Sequence, residues 1–151
     1  MKQILVLLIF ILPITISCHP ARESLNIIQI DLKSNGECEG TCLAFSLTIY
    51  NDGRALYIPD KLSNSTQLQT FINKEKMDSI SQLISIQNIW NLQETYTNPR
   101  TDLPTYTLTI RLKNDSSKTI TDYGPSGPEA LKKVYARLLS LKQSQEWRPV
   151  N

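Results

Sequence analysis

Two aspartates, a tyrosine and a threonine make the densest chemistry in the folded part of the chain. They lie in Thr101-Asp102-Leu103-Pro104 and, about twenty residues on, in Asp122-Tyr123-Gly124-Pro125. Two carboxylates and a phenol at strand ends can bind a cation or handle a proton. Asp beside a proline-marked loop also caps turns through backbone hydrogen bonds, a purely structural use. Thr101, Asp102, Asp122 and Tyr123 are therefore the candidate ligand-binding residues. A metal-binding or enzymatic domain using Asp102, Asp122 and Tyr123 is the alternative to a non-enzymatic one. No residue is assigned a catalytic role or metal ligation. The only histidine is His19, outside the folded part, so a hydrolytic nucleophile would lack its usual base. No phosphate loop or dinucleotide fingerprint occurs, and no cofactor is expected.

A second candidate is a row of threonines, Thr105, Thr107, Thr109, Thr119 and Thr121, on the outward side of two strands. Threonine suits an exposed strand face without any functional reason. A flat polar face can equally dock a partner or an extended peptide at a sheet edge.

The three cysteines separate by position. Cys18 follows Met1-Lys2-Gln3 and an apolar run from Ile4 to Ile16 interrupted by Pro13. A positive start, a short apolar run and small residues before a cut are the parts of a secretory signal. That run falls well short of the about twenty residues needed to span a bilayer. Thr15-Ile16-Ser17-Cys18 resembles the lipobox of bacterial lipoproteins, with Thr15 where leucine is usual. The expectation is a signal peptide over 1–17, a lipidated Cys18, and a tether over 18–24. His19 stands where an inner-membrane retention signal would place Asp, which by that resemblance points to the outer membrane, facing the periplasm. Each buried methylene contributes about 0.8 kcal/mol, so two or three acyl chains hold stably where one holds marginally.

Cys38-Glu-Gly-Thr-Cys42 is expected to form a disulfide in an oxidising compartment. Its five-residue loop would contribute roughly 2 kcal/mol on the chain-entropy estimate. A redox pair normally uses C-x-x-C opening a helix, and two cysteines fall short of a four-ligand zinc site.

Sixteen basic and fourteen acidic side chains are interspersed, and Lys2 among them falls in the leader. Such a balance argues against nucleic acid and anionic lipid as partners. The partners that remain are the membrane, through the N-terminal lipid, and an envelope protein.

The elements that must position these residues read as one α+β domain over 25–147. Strands are expected over 25–33, 42–50 and 54–58, the last two joined through Asn51-Asp52-Gly53, a strong hairpin signal. A weaker strand covers 66–72, and Asn64-Ser65-Thr66 is a chance match to a glycosylation pattern. Asn73 can cap a helix from Lys74 to Gln87, with Met77, Ile80, Leu83 and Ile84 inward. Strict alternation over 105–113 puts Tyr106, Leu108, Ile110 and Leu112 inward, and residues 118–123 pair back. Ser126-Gly-Pro-Glu129 spells a capping box with Pro128 in the first turn. The helix behind it buries Leu131, Val134, Tyr135, Leu138 and Leu141. The sum is a two-layer domain, an antiparallel sheet of five to six strands with two helices on one face.

Several positions together resemble a family of bacterial lipoprotein and secreted domains of unknown function. They are Gly40-Thr41-Cys42-Leu43-Ala44-Phe45, Asp52-Gly53, Trp90-Asn91-Leu92, Tyr96, Thr101-Asp102-Leu103-Pro104, Asp122-Tyr123 and Trp147. The family's proline after the cysteine is Leu43 here, and its tyrosine is Phe45. The resemblance implies a fold and an address, and no mechanism.

Overall fold

The computed structural model describes residues 25–36, 44–59 and 66–150. Cys18, the tether, the signal segment and the pair Cys38 and Cys42 lie outside the described residues, so the lipidation and disulfide expectations do too.

Strand β1 is Ile27–Ser34, β2 Phe45–Tyr50 and β3 Arg54–Pro59. Asn51-Asp52-Gly53 joins the last two, and the Gly53 amide donates to the Tyr50 carbonyl at 3.0 Å. Gly53 holds φ at +88°, and a Cβ there would stand 2.5 Å from the Ile72 carbonyl oxygen. Only glycine meets both demands. The weak strand expected over 66–72 is shorter, forming β4 over Leu68–Phe71. Helix α1 spans Lys74–Ile86, and the Asn73 side chain accepts from the Lys76 amide at 3.0 Å. That is the expected cap.

A 3-10 turn, Ile89–Asn91, leads to β5, Thr95–Tyr96. Strands β6, Thr105–Leu112, and β7, Ser117–Tyr123, follow as a hairpin. Helix α2 spans Glu129–Ser144, and β8 is Arg148–Pro149.

All the strands form one eight-stranded sheet in the order β5-β7-β6-β1-β2-β3-β4-β8. The expected five to six strands are exceeded by two pairs of residues, β5 and β8. Neither carries a pattern of its own, because each is held by the backbone of the strand beside it. Neighbours are antiparallel except β5 and β7. Helix α1 carries the chain from β4 near one edge to β5 at the other, and α2 carries it back from β7 to β8. Buried residues of both helices (Met77, Ile80 and Ile84; Leu131, Val134, Leu138 and Leu141) join one core with the strands. The strands supply Ile30, Leu32, Leu47, Ile49, Leu108, Ile110 and Ile120. Trp147 packs against Tyr57 with ring centroids 5.6 Å apart, closing the tail on the domain.

The capping box does not form. Pro128, in extended conformation, is the N-cap residue of α2, with no side-chain cap. A buried aspartate on β7 has taken the Ser126 amide that the Glu129 side chain would have bound in the box.

Candidate functional site

Asp122 is that aspartate. On β7, Ile120 and Asp122 alternate inward while Thr119, Thr121 and Tyr123 alternate outward. Asp122 is fully buried. Its Oδ1 accepts from the Ser126 amide at 2.8 Å and the Gly127 amide at 3.1 Å. The Ser126 hydroxyl lies 3.2 Å from the same oxygen and 3.1 Å from the Tyr123 carbonyl, with one proton to share between them. A Cβ on Gly127 would stand 2.9 Å from Asp122 Oδ2, so glycine lets the loop close over the carboxylate. Asp122 Oδ2 and the Tyr135 hydroxyl are both buried without a hydrogen-bond partner of good geometry. Burial pushes the Tyr135 phenol well above its ordinary range, and the nearby Asp122 carboxylate adds to the shift. What this arrangement does is anchor the entry to α2.

Tyr123 faces the other way. Its hydroxyl accepts from the Leu103 amide at 3.4 Å, and the Gly124 amide donates to the Pro104 carbonyl at 2.9 Å. Those two contacts hold the loop containing Thr101 and Asp102 at the end of β7. Thr101 and Asp102 are exposed, and Asp102 is left-handed at φ +59°. The turn bond in that loop comes from Asn98, whose side chain accepts from the Arg100 amide at 3.0 Å. The four candidate residues therefore fall into two groups. Thr101, Asp102 and Tyr123 share one strand end, and the Asp122 carboxylate points through the sheet to the opposite side. Among the described residues, no three His, Cys, Asp or Glu side chains come together to hold a metal ion.

Asp31, which alternation places on the outward side of β1 with Gln29 and Lys33, makes a second polar centre that the sequence alone did not single out. It is only 7% exposed. Arg111 Nη1 donates to its Oδ2 at 2.8 Å and Thr48 Oγ1 to its Oδ1 at 2.8 Å. Gln29 Nε2 reaches both oxygens, at 3.0 and 2.9 Å. Thr48 and Thr109 are its partners in register on either side. The signal available was a carboxylate in mid-strand with an arginine two residues beyond its register partner. Around it lie the expected outward threonines, with Thr109 and Thr119 bonded hydroxyl to hydroxyl at 3.1 Å.

Phe45, where the family resemblance places tyrosine, is buried in the core. It stands 6.2 Å from both the Tyr57 and Tyr106 rings, with the Lys142 ammonium 4.4 Å from its centroid. No helix of the described residues is long and apolar enough to cross a membrane.

Among the described residues, fold and site together define a mixed α+β domain with one eight-stranded sheet and two helices, in which the Asp31 and Asp122 carboxylates are held by internal bonds. The chain belongs to the family described as a domain of unknown function (DUF6438), which matches residues 29–142. The match runs from Gln29, the third residue of β1, to the last turns of α2. A comparison with curated proteins finds no significant match.

Proposed function

We propose that this chain is a lipoprotein of the cell envelope, anchored through Cys18 in the outer membrane and facing the periplasm. Its domain binds a ligand or an envelope protein without catalysing a reaction. The address rests on the sequence, in Lys2, the apolar run to Ile16, and Ser17-Cys18. We read the domain as two layers, with both helices against one face of the sheet and the other face left for binding. The observation that carries the binding reading is the row of Thr105, Thr107, Thr109, Thr119 and Thr121 around the Asp31 and Arg111 pair. These residues alternate away from the core that both helices share. A broad, ordered, polar surface suits recognition, where hydrogen bonds give specificity and hot spots give affinity.

In-cell crosslinking of the lipidated protein tests this reading. The threonine face should yield a reproducible adduct that Thr107→Arg and Thr121→Arg abolish while the melting temperature stays within a few degrees. An adduct indifferent to both substitutions would contradict the role of that face. The metal-binding alternative is separated by melting the protein with magnesium, calcium, manganese and zinc. A rise in melting temperature with one ion, removed by Asp102→Asn, would favour the alternative.

A further inference from the structure

We infer that the end of the sheet carrying Tyr50, Arg54 and Phe71 rests against the lipid headgroups of the membrane that holds the anchor. The inference rests on the lipoprotein reading above. Six residues separate Cys18 from Leu25, the first described residue. A chain extends at most about 3.6 Å per residue, so Leu25 lies within about 25 Å of the lipidated cysteine. Leu25 leads directly into β1, and β1 is central in the sheet. The short tether therefore keeps the end of the sheet where β1 begins within about 25 Å of the bilayer.

The ladder shows what stands at that end. Gln29 near the start of β1 pairs with Tyr50 at the end of β2 and with Arg111 near the end of β6. Arg54 at the start of β3 pairs with Phe71 at the end of β4. Alternation puts Gln29, Tyr50, Arg54, Phe71 and Arg111 on one row of the same face, away from the core. Phe71 is 70% exposed, the most exposed of the large apolar side chains among the described residues. The Arg54 guanidinium stacks on the Tyr50 ring at 4.9 Å. An exposed phenylalanine, with a half-buried tyrosine and an arginine whose stem can lie along apolar surface in the same row, matches the chemistry of the headgroup zone. Two solvent-exposed ion pairs stand near this end, Arg54 with Asp52 at 2.7 Å and Lys74 with Asp78 at 2.6 Å. The pairing of opposite charges there suits a zwitterionic surface.

Photocrosslinking of the full lipidated chain in phosphatidylcholine vesicles tests the proposal. Benzoylphenylalanine is placed at Phe71 in one variant and at exposed Arg100, in the loop at the opposite end of the strands, in another. Intact mass is taken before and after irradiation, and both variants must melt like the parent. Phospholipid adducts are expected several-fold more often at position 71 than at 100. Equal yields on an acylated protein would overturn the orientation and leave the anchor standing. Protein-to-protein adducts at 71 would mean that a second copy covers this end, which also overturns the proposal. A chain without acyl mass on Cys18 would overturn both readings.

Discussion

The carboxylate of Asp122 accepts from the Gly127 amide at 3.1 Å and, through the same oxygen, from the Ser126 amide, so one buried side chain on β7 sets where α2 begins. The helix has no side-chain cap of its own. Its N-terminal geometry is delegated to the strand before it.

Asp122→Ala leaves both loop amides without their acceptor, while the Ser126 hydroxyl keeps the Tyr123 carbonyl. Buried hydrogen bonds to a charged group are worth about 1.5–3 kcal/mol each, and unsatisfied donors cost further. The expected loss is about 3 kcal/mol or more in urea unfolding. A loss below about 1 kcal/mol would show that the loop is held by other contacts.

Tyr135 has the opposite expectation. Its hydroxyl is buried without a partner of good geometry, so Tyr135→Phe should change stability near neutral pH by less than about 1 kcal/mol. The pH dependence carries the sharper test. Burial raises the folded-state phenol above its unfolded value of about 10. The unfolded chain then releases its proton first, and the folded protein holds more protons than the unfolded one. The stability this group contributes is therefore full below about pH 10 and is lost as the pH rises above it. Stability should fall by at most about 1.4 kcal/mol per pH unit through Tyr135, and Tyr135→Phe should lessen the slope. Tyr106, also raised by burial, leaves a residual slope in that variant.

Asp31 and Arg111 should couple modestly. Asp31 is nearly enclosed, but the Arg111 side chain is 47% exposed and solvent screens the pair. A double-mutant cycle with Asp31→Asn and Arg111→Gln should give a coupling of about 0.5–1.5 kcal/mol. A coupling near zero would mean that Gln29 and Thr48 alone hold the carboxylate.

How much of this was legible in the sequence depends on where each pattern was encoded. The alternation at Phe45, Leu47 and Ile49, and at Leu108 and Ile110, placed two central strands because burial of one face writes a period of two. Helix α2 was legible for the same reason at helical spacing, and Asn73 carried its own cap. Strands β5 and β8 were not legible, because two residues hold no period and pair only where β7 and β4 pass. Ser126 misled because a capping box is local, whereas the competing acceptor reaches it from a strand the sequence could not orient. Asp122 and Tyr123 are adjacent in the chain, about twenty residues after Asp102. Period-two alternation then turned Asp122 and Tyr123 to opposite faces. Asp31 stayed hidden because its partners arrive from two other strands.

Asn73→Ala should cost about 1 kcal/mol, since the Lys76 amide loses its acceptor and no other cap is at hand. Equilibrium unfolding checks it. An unchanged midpoint would mean that α1 is held by Met77, Ile80 and Ile84 alone.

The central claim is the anchor, and intact mass of the membrane-extracted protein tests it most directly. The account predicts a chain that begins at Cys18, carries the added mass of acyl chains, and is released from the membrane or left unprocessed by Cys18→Ser. A mature chain with an unmodified Cys18, or one still carrying Met1 to Ser17 in the membrane, would contradict it.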